Sequence, residues 1–220
     1  MKLLLTDSGI RNPSIHAALL DLLGKPIAEC TALCIPTAGY GGSWGDPTGP
    51  WRFISGQAPS PMTGLGWKSV GVLELTALPS IGPERWVPWV READVLLANG
   101  GDALYLAHWM RESGLAELLP SLPDLVYVGL SAGSMVMGPR VGEQLADWRP
   151  PGGSDGALGL VDFSIFPHLG SPTWEGFSPA AAEHWAADLG CPGYAIDQET
   201  AIKVVDGVVE VVSEGTWRTF

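Results

Sequence analysis

From residue 127 to residue 137 the chain reads Tyr-Val-Gly-Leu-Ser-Ala-Gly-Ser-Met-Val-Met. Small residues flank Ser131, and Gly129 and Gly133 leave room where side chains would collide, as a sharp turn from a strand to a helix requires. A serine hydroxyl at such a turn stands clear of the backbone and can attack a carbonyl group. The stretch therefore predicts a strand, a nucleophilic serine and a helix; the alternative is a glycine-rich turn that carries an ordinary serine.

Composition and charge restrict the class of protein. The chain has 220 residues, of which 46% are hydrophobic and 16% charged, and this is typical of a globular protein. We expect one α/β domain spanning residues 1–220. Twelve basic residues stand against 24 acidic ones, which gives a formal net charge of −12 with no Lys/Arg cluster. Such a surface repels phosphate backbones and anionic membranes, so neither nucleic acid nor a membrane is an expected partner.

The first residues and the cysteines indicate the compartment. Met1 to Asp7 is predicted to be a buried strand, too short for a signal peptide, and no apolar run reaches the roughly 18 residues of a spanning helix. The three cysteines form no Cys-x-x-Cys pair and have no histidine at metal-ligand spacing. Their odd number is typical of a reducing compartment. We expect a cytoplasmic protein without a metal or another cofactor.

Strands and helices alternate along most of the chain. The predicted strands are 2–6, 32–36, 70–76, 94–98, 125–130, 161–167, 193–196, 200–205 and 208–212. One predicted helix begins near Asn12 and ends before Gly24, and another follows Ser131. Three more cover residues 83–91, 103–112 and 179–188. This alternation predicts a doubly wound, mostly parallel sheet with helices on both faces, and Asp206-Gly207 indicates a C-terminal β-hairpin.

Residues 39–68 interrupt this pattern. The segment is rich in Gly and Pro and contains Trp44, Trp51 and Trp67. A structureless connection of that length is unusual in a compact domain unless it is a lid or a binding loop. The alternative is an insertion whose tryptophans attach it to the surface.

A nucleophilic serine needs a base, and the chain has four histidines. His16, His108 and His184 fall within predicted helices. His168 alone follows a predicted strand, so we expect it at the same edge of the sheet as Ser131, where ligands of parallel sheets bind.

The base needs a carboxylate that orients it. Asp147, Glu143 and Asp155 all lie between Ser131 and His168 and are candidates. Their spacing alone does not choose among them.

Four motifs together resemble the peptidase E (α-aspartyl dipeptidase) family of serine peptidases, which also contains the cyanophycinases. They are Leu-Leu-Leu-Thr-Asp-Ser at 3–8, Asn-Gly-Gly-Asp-Ala-Leu-Tyr-Leu at 99–106, Gly-Leu-Ser-Ala-Gly-Ser at 129–134 and Phe-Pro-His-Leu at 166–169. The resemblance implies a fold similar to class I glutamine amidotransferases, with Ser where those enzymes have Cys. It also implies a small peptide as substrate and a homodimer, since relatives dimerise.

The resemblance assigns roles to single residues. Ser131 matches the family nucleophile and His168 its general base, and Gly101 and Ala132 match the positions whose N–H groups form the oxyanion hole. The family's Asp lies about fifteen residues beyond the serine; Asp147, sixteen beyond Ser131, is its first match, with Glu143 as the alternative.

One departure affects specificity. The aspartyl dipeptidases carry an arginine after the histidine motif that binds the substrate's aspartate, whereas residues 169–202 contain neither Arg nor Lys. Two hypotheses follow: a serine peptidase, dipeptidase-like but without strict Asp specificity, and a non-catalytic or regulatory binding protein on the same scaffold. Glutamine amidotransfer would need a thiolate, and Cys30, Cys34 and Cys191 all lie away from the strand end that carries Ser131.

Overall fold

The computed structural model describes residues 1–43 and 45–220; Trp44 lies outside the described residues. The strands are β1 (Lys2–Thr6), β2 (Thr31–Ile35), β3 (Ser69–Val72), β4 (Val95–Ala98), β5 (Val126–Leu130), β6 (Ser164–Phe166), β7 (Gly193–Ile196), β8 (Thr200–Val205), β9 (Val208–Ser213) and β10 (Trp217–Thr219). The α-helices are α1 (Pro13–Leu23), α2 (Thr48–Ile54), α3 (Pro83–Glu92), α4 (Ala103–Glu112), α5 (Leu115–Leu118), α6 (Ala132–Met135) and α7 (Pro179–Leu189).

The central sheet has seven strands in the order β3-β2-β4-β5-β1-β8-β9. The first five are parallel to one another, while β8 is antiparallel to β1 and β9 is antiparallel to β8. The predicted α/β fold with a mostly parallel sheet is confirmed. The predicted hairpin is confirmed as well: Asp206 and Gly207 both have positive φ, at 51° and 78°, as the two-residue turn between β8 and β9 requires.

Helices cover both faces of this sheet, and the side chains of β1 pack against the helices on both. Leu3 and Leu5 pack in one apolar cluster with α3 and α4, whereas Leu4 packs in a second cluster with α1. Because successive side chains of a strand point to opposite faces, a continuous apolar run suits a strand buried on both sides.

A second sheet, β10-β7-β6, was not predicted. The expectation that the strand before His168 belongs to the central sheet is therefore wrong, since β6 pairs with β7 instead.

Two predicted strands are also shorter than expected. The strand from residue 70 stops at Val72, and a 3-10 helix, Leu75–Ser80, begins where the side chain of Glu74 accepts a hydrogen bond from the N–H of Thr76. The strand predicted at 161–167 is only Ser164–Phe166.

The segment 39–68 is largely packed against the molecule. It contains α2, and Phe53, Met62 and Trp67 belong to the apolar cluster beside α1. Trp67 donates its ring N–H to the carbonyl of Met62 (2.8 Å), while Trp51 is 53% exposed. Buried Trp67 thus attaches the segment to the core, and Trp51 does not.

The described residues include no helix long and apolar enough to cross a membrane.

The cap of α1 yields a test of the fold. Asn12 accepts a hydrogen bond from the N–H of Ile15 (2.9 Å) and donates one to the carbonyl of Glu199 (2.8 Å), so it joins α1 to the chain entering β8. Asn12→Ala is expected to lower the free energy of unfolding by about 2 kcal/mol, because it removes a cap and leaves a partly buried carbonyl without this donor.

The matched control is Ser178→Ala at the cap of α7, where the hydroxyl accepts a single bond from Ala181. It should cost about 1 kcal/mol. Urea denaturation measures both values, and equal losses would contradict the joining role of Asn12.

Candidate active site

Ser131 lies in the sharp turn between β5 and α6. Its backbone has φ 48° and ψ −110°, outside the regions that residues other than glycine normally adopt. A Cβ added to Gly129 would come within 2.4 Å of the carbonyl oxygen of Gly133, and one added to Gly133 within 2.5 Å of that of Ala98. The two glycines therefore let β4, β5 and α6 approach closely enough to form this turn.

Buried hydrogen bonds hold the turn in place. The hydroxyl of Tyr127 donates to the carbonyl of Gly133 (2.7 Å), and burial raises the pKa of this phenol well above its usual value, so it remains a donor. The N–H of Ser131 and the hydroxyl of Ser134 both donate to the carbonyl of Thr6, at 3.0 and 2.7 Å. The turn is thus tied to the end of β1.

His168 meets Ser131 although their strands belong to different sheets. Its Nε2 lies 3.0 Å from Oγ of Ser131. The residue has φ 59°, a left-handed conformation that is uncommon for histidine, just beyond the end of β6. The other three histidines lie in helices, as expected: His16 in α1, His108 in α4 and His184 in α7.

The carboxylate on the far side of the imidazole belongs to Asp7. Nδ1 of His168 is 3.2 Å from both carboxylate oxygens, and the backbone N–H of His168 also donates to Oδ2. The hydroxyl of Ser8 donates to Oδ1 (2.6 Å). Asp7 is 1% exposed, and these donors satisfy a carboxylate whose burial would otherwise be costly.

Asp147, predicted to orient His168, has other partners. Its carboxylate accepts a hydrogen bond from the N–H of Ser43, which lowers the pKa of Asp147. The N–H groups of Asp147 and Trp148 in turn donate to Oδ2 of Asp102, at 3.1 and 2.7 Å. The expectation that Asp147 contacts His168 is corrected: Asp147 fastens two loops together, and Asp7 lies beside the imidazole of His168.

The two alternative carboxylates also lie elsewhere. Asp155 forms an ion pair with Arg140 (3.0 Å). Glu143 begins the short 3-10 helix Glu143–Leu145, and its carbonyl accepts a hydrogen bond from Arg149. Among the described residues, only Asp7 is a carboxylate bonded to His168.

The sequence did contain a signal for Asp7. It directly follows an apolar run that is buried on both faces, so it had to lie at the carboxyl edge of the sheet. The candidate carboxylates Glu143, Asp147 and Asp155 all lie between Ser131 and His168, whereas Asp7 precedes both.

The end of β4 lies beside the serine. A Cβ added to Gly100 would be 3.5 Å from Cβ of Ser131. Gly101 has φ 140°, and a Cβ there would come within 2.1 Å of the carbonyl oxygen of Ala38, so this position excludes a side chain. Ala132 is the first residue of α6, where a backbone N–H has no partner within its own helix. Both predicted oxyanion positions thus lie on chain segments adjoining Ser131.

Two features of the described residues bear on a metal site and on a thiol nucleophile, namely their His, Cys, Asp and Glu groups and the two buried cysteines. No group of three or more His, Cys, Asp or Glu residues in that part of the chain could hold a metal ion. Cys30 and Cys34 are buried, and burial raises the pKa of the Cys34 thiol to about 11. A protonated, buried thiol is a poor nucleophile.

Two of the solved structures that share this fold show the likeness. One is a structure assigned as a peptidase E protein from Listeria monocytogenes EGD-e, with a TM-score of 0.67 and 20% identity over 97% of this chain and 98% of that one. The other is a peptidase from an acI-B1 Actinobacterium, with a TM-score of 0.70 and 22% identity over 100% of this chain and 93% of that one. At such identities the likeness shows the fold.

No curated protein sequence matches the chain significantly. The model of peptidase family S51, however, matches residues 3–212, which include every residue of the site described above. This match confirms the resemblance to peptidase E that the four motifs indicated. The chain belongs to peptidase family S51 and is a serine-type peptidase.

Proposed function

We propose that this serine peptidase hydrolyses a peptide bond of a small peptide through an acyl-enzyme. Ser131 is the nucleophile, His168 the general base, and Asp7 the carboxylate that orients the base. The observation that carries the proposal is the unbroken series of contacts from Asp7 through His168 to Ser131, with 3.2 Å at Nδ1 and 3.0 Å at Nε2.

Asp7 determines how the imidazole can act. An ionised carboxylate only accepts hydrogen bonds, so Nδ1 of His168 carries a proton directed at Asp7, and Nε2 presents its lone pair to the hydroxyl of Ser131. The buried negative charge also stabilises the imidazolium that forms once the base has taken the serine proton. Its other donors, Ser8 and the backbone of His168, keep this carboxylate in place.

The reaction follows from these positions. Oγ of Ser131 attacks the scissile carbonyl carbon while its proton passes to Nε2 of His168. The imidazolium then gives that proton to the leaving amine as the C–N bond breaks, and the acyl group remains on Ser131. A water molecule, deprotonated by the same Nε2, attacks the acyl carbon. The bond between that carbon and Oγ breaks, His168 returns the proton to Oγ, and the acid is released.

The N–H groups of Gly101 and Ala132 are proposed to stabilise the tetrahedral oxyanion. Support comes from the close approach of the β4 end to Ser131 and from the position of Ala132 at the start of α6. Removing one such donor typically costs about 2.7–4 kcal/mol of barrier lowering. Because both donors belong to the backbone, the glycine conformation at 101 is a requirement of the site.

A strict preference for an aspartate substrate is not part of the proposal. A substrate carboxylate is best held by a bidentate arginine, and residues 169–202 contain neither Arg nor Lys. The first residue of the peptide is therefore to be found by a screen of dipeptides and short peptides.

Loss of the nucleophile is the first test. Ser131→Ala is expected to lower kcat by at least about 10,000-fold on any peptide that the wild type cleaves, because no acyl-enzyme can form. A fluorophosphonate probe should label the wild type at Ser131 and leave the variant unlabelled, as read by mass spectrometry.

Circular dichroism and the urea midpoint serve as controls for folding of Ser131→Ala. A folded variant with wild-type turnover would overturn the proposal. So would a wild-type protein that a large excess of probe leaves unlabelled, and this second result would favour a binding protein on the same scaffold.

The choice between two carboxylates is the second test. Asp7→Asn keeps the shape of the side chain but replaces the acceptor that fixes the imidazole, so kcat should fall by about 10,000-fold. Asp147→Asn is the matched control, because that carboxylate contacts Ser43 rather than His168. It should change kcat far less.

Steady-state kinetics of both variants on one peptide give the comparison. A large loss in Asp147→Asn together with near wild-type activity in Asp7→Asn would assign the orienting carboxylate to Asp147 and contradict the role of Asp7.

A further inference from the structure

The chain that follows His168 folds back over its imidazole. The N–H of Gly170 donates to the carbonyl of Phe177 (2.7 Å) and closes residues 170–177 into a loop, named here the 170–177 loop. Inside it, the N–H groups of Thr173 and Trp174 both lie near Oγ of Ser171, at 3.3 and 3.4 Å. These contacts turn the loop back so that its aromatic side chains reach the base.

Two aromatic rings of the loop contact the imidazole. The indole of Trp174 is stacked on it, with ring centroids 5.7 Å apart and an angle of 17° between the planes. Phe177 meets it edge-on, at 5.2 Å and 81°. Trp174 is nevertheless 56% exposed. Since the imidazole lies on one face of the indole, much of the rest of this large apolar ring is open to a ligand.

The chemistry of the reaction decides which part of a substrate meets Trp174. The carbonyl oxygen of the scissile bond turns toward the N–H groups of Gly101 and Ala132, whereas the leaving nitrogen must lie next to Nε2 of His168, which protonates it. The residue that contributes the scissile nitrogen, and departs with it, is called here the leaving residue. A ring stacked on the imidazole of His168 therefore lies on the side of the leaving residue and within reach of that residue's side chain.

We propose that Trp174 forms a binding surface for the side chain of the leaving residue and that this surface favours an aromatic side chain. The inference rests on the proposed peptide hydrolysis and adds the substrate class for one side of the scissile bond. Trp174 is thus a specificity-determining residue of this chain.

Charge near the ring favours a neutral ligand. The only charged residue of the 170–177 loop is Glu175, which disfavours an acidic side chain there. A cationic side chain would face the imidazolium that forms beside Trp174 in the transition state. A neutral aromatic ring avoids both repulsions and gains stacking on the indole.

The experiment compares leaving residues behind one acyl group. Dipeptides that share the best first residue from the screen and end in Phe or Ala are assayed with the wild type, Trp174→Ala, Trp174→Leu and Trp174→Phe. Because the acyl part is common to both substrates, kcat/KM reports the step in which the leaving residue is still bound.

We expect the wild type to prefer Phe over Ala by about fivefold in kcat/KM, a typical gain for an aromatic pair. Trp174→Ala and Trp174→Leu should each abolish this ratio, mainly through a higher KM for the Phe substrate. Trp174→Phe should restore most of it.

The matched control is Trp89→Ala. Trp89 is 43% exposed and lies on α3 against Gly71 of the edge strand β3, three strands away from β5 in the central sheet. The preference for Phe should be unchanged in this variant.

Several outcomes would overturn the inference. A Trp174 that only supports His168 would lower kcat/KM for both substrates by the same factor and leave their ratio intact. The inference would also be overturned by a wild type that cleaves both dipeptides equally well. Loss of the preference for Phe in Trp89→Ala would overturn it as well. A wild type that cleaves no peptide overturns the proposed function and this inference with it, whereas cleavage without a preference overturns the inference alone.

Discussion

The parallel pairing of β1 with β5 sets Thr6 opposite Leu130, and the residues that follow these two are Asp7 and Ser131. This register brings the carboxylate of Asp7 and the hydroxyl of Ser131 to neighbouring strand ends. The carbonyl of Thr6 then accepts hydrogen bonds from Ser131 and Ser134, so the serine turn is fastened to the strand that carries Asp7. A shift of one residue would turn the side chains of β1 to the opposite faces and separate the two groups.

Strain and close packing at the turn depend on this same register. Ser131 and His168 both have positive φ, which is unfavourable for residues with a side chain and persists only where the surroundings enforce it. Gly129 and Gly133 allow α6 to lie directly against the ends of β4 and β5. The hydroxyl of Ser131 is consequently held beside Nε2 of His168, at 3.0 Å.

His168 approaches Ser131 from the second sheet, because it follows β6. Because β6 is outside the central sheet, the chain beyond it is free to fold as the 170–177 loop above the imidazole. That loop carries the aromatic rings of Trp174 and Phe177 and a single acidic side chain, Glu175.

The sequence by itself determined the parallel α/β sheet, the serine turn and the histidine at a strand end, because apolar runs, glycines and helix caps act over a few neighbouring residues. Only the tertiary structure decided that Asp7, rather than Asp147, lies against His168. Asp7 and His168 are 161 residues apart in the sequence. They are brought together by strand order and register, which local patterns do not encode. The second sheet was missed for the same reason, since its strands are short and find their partners only in the folded chain.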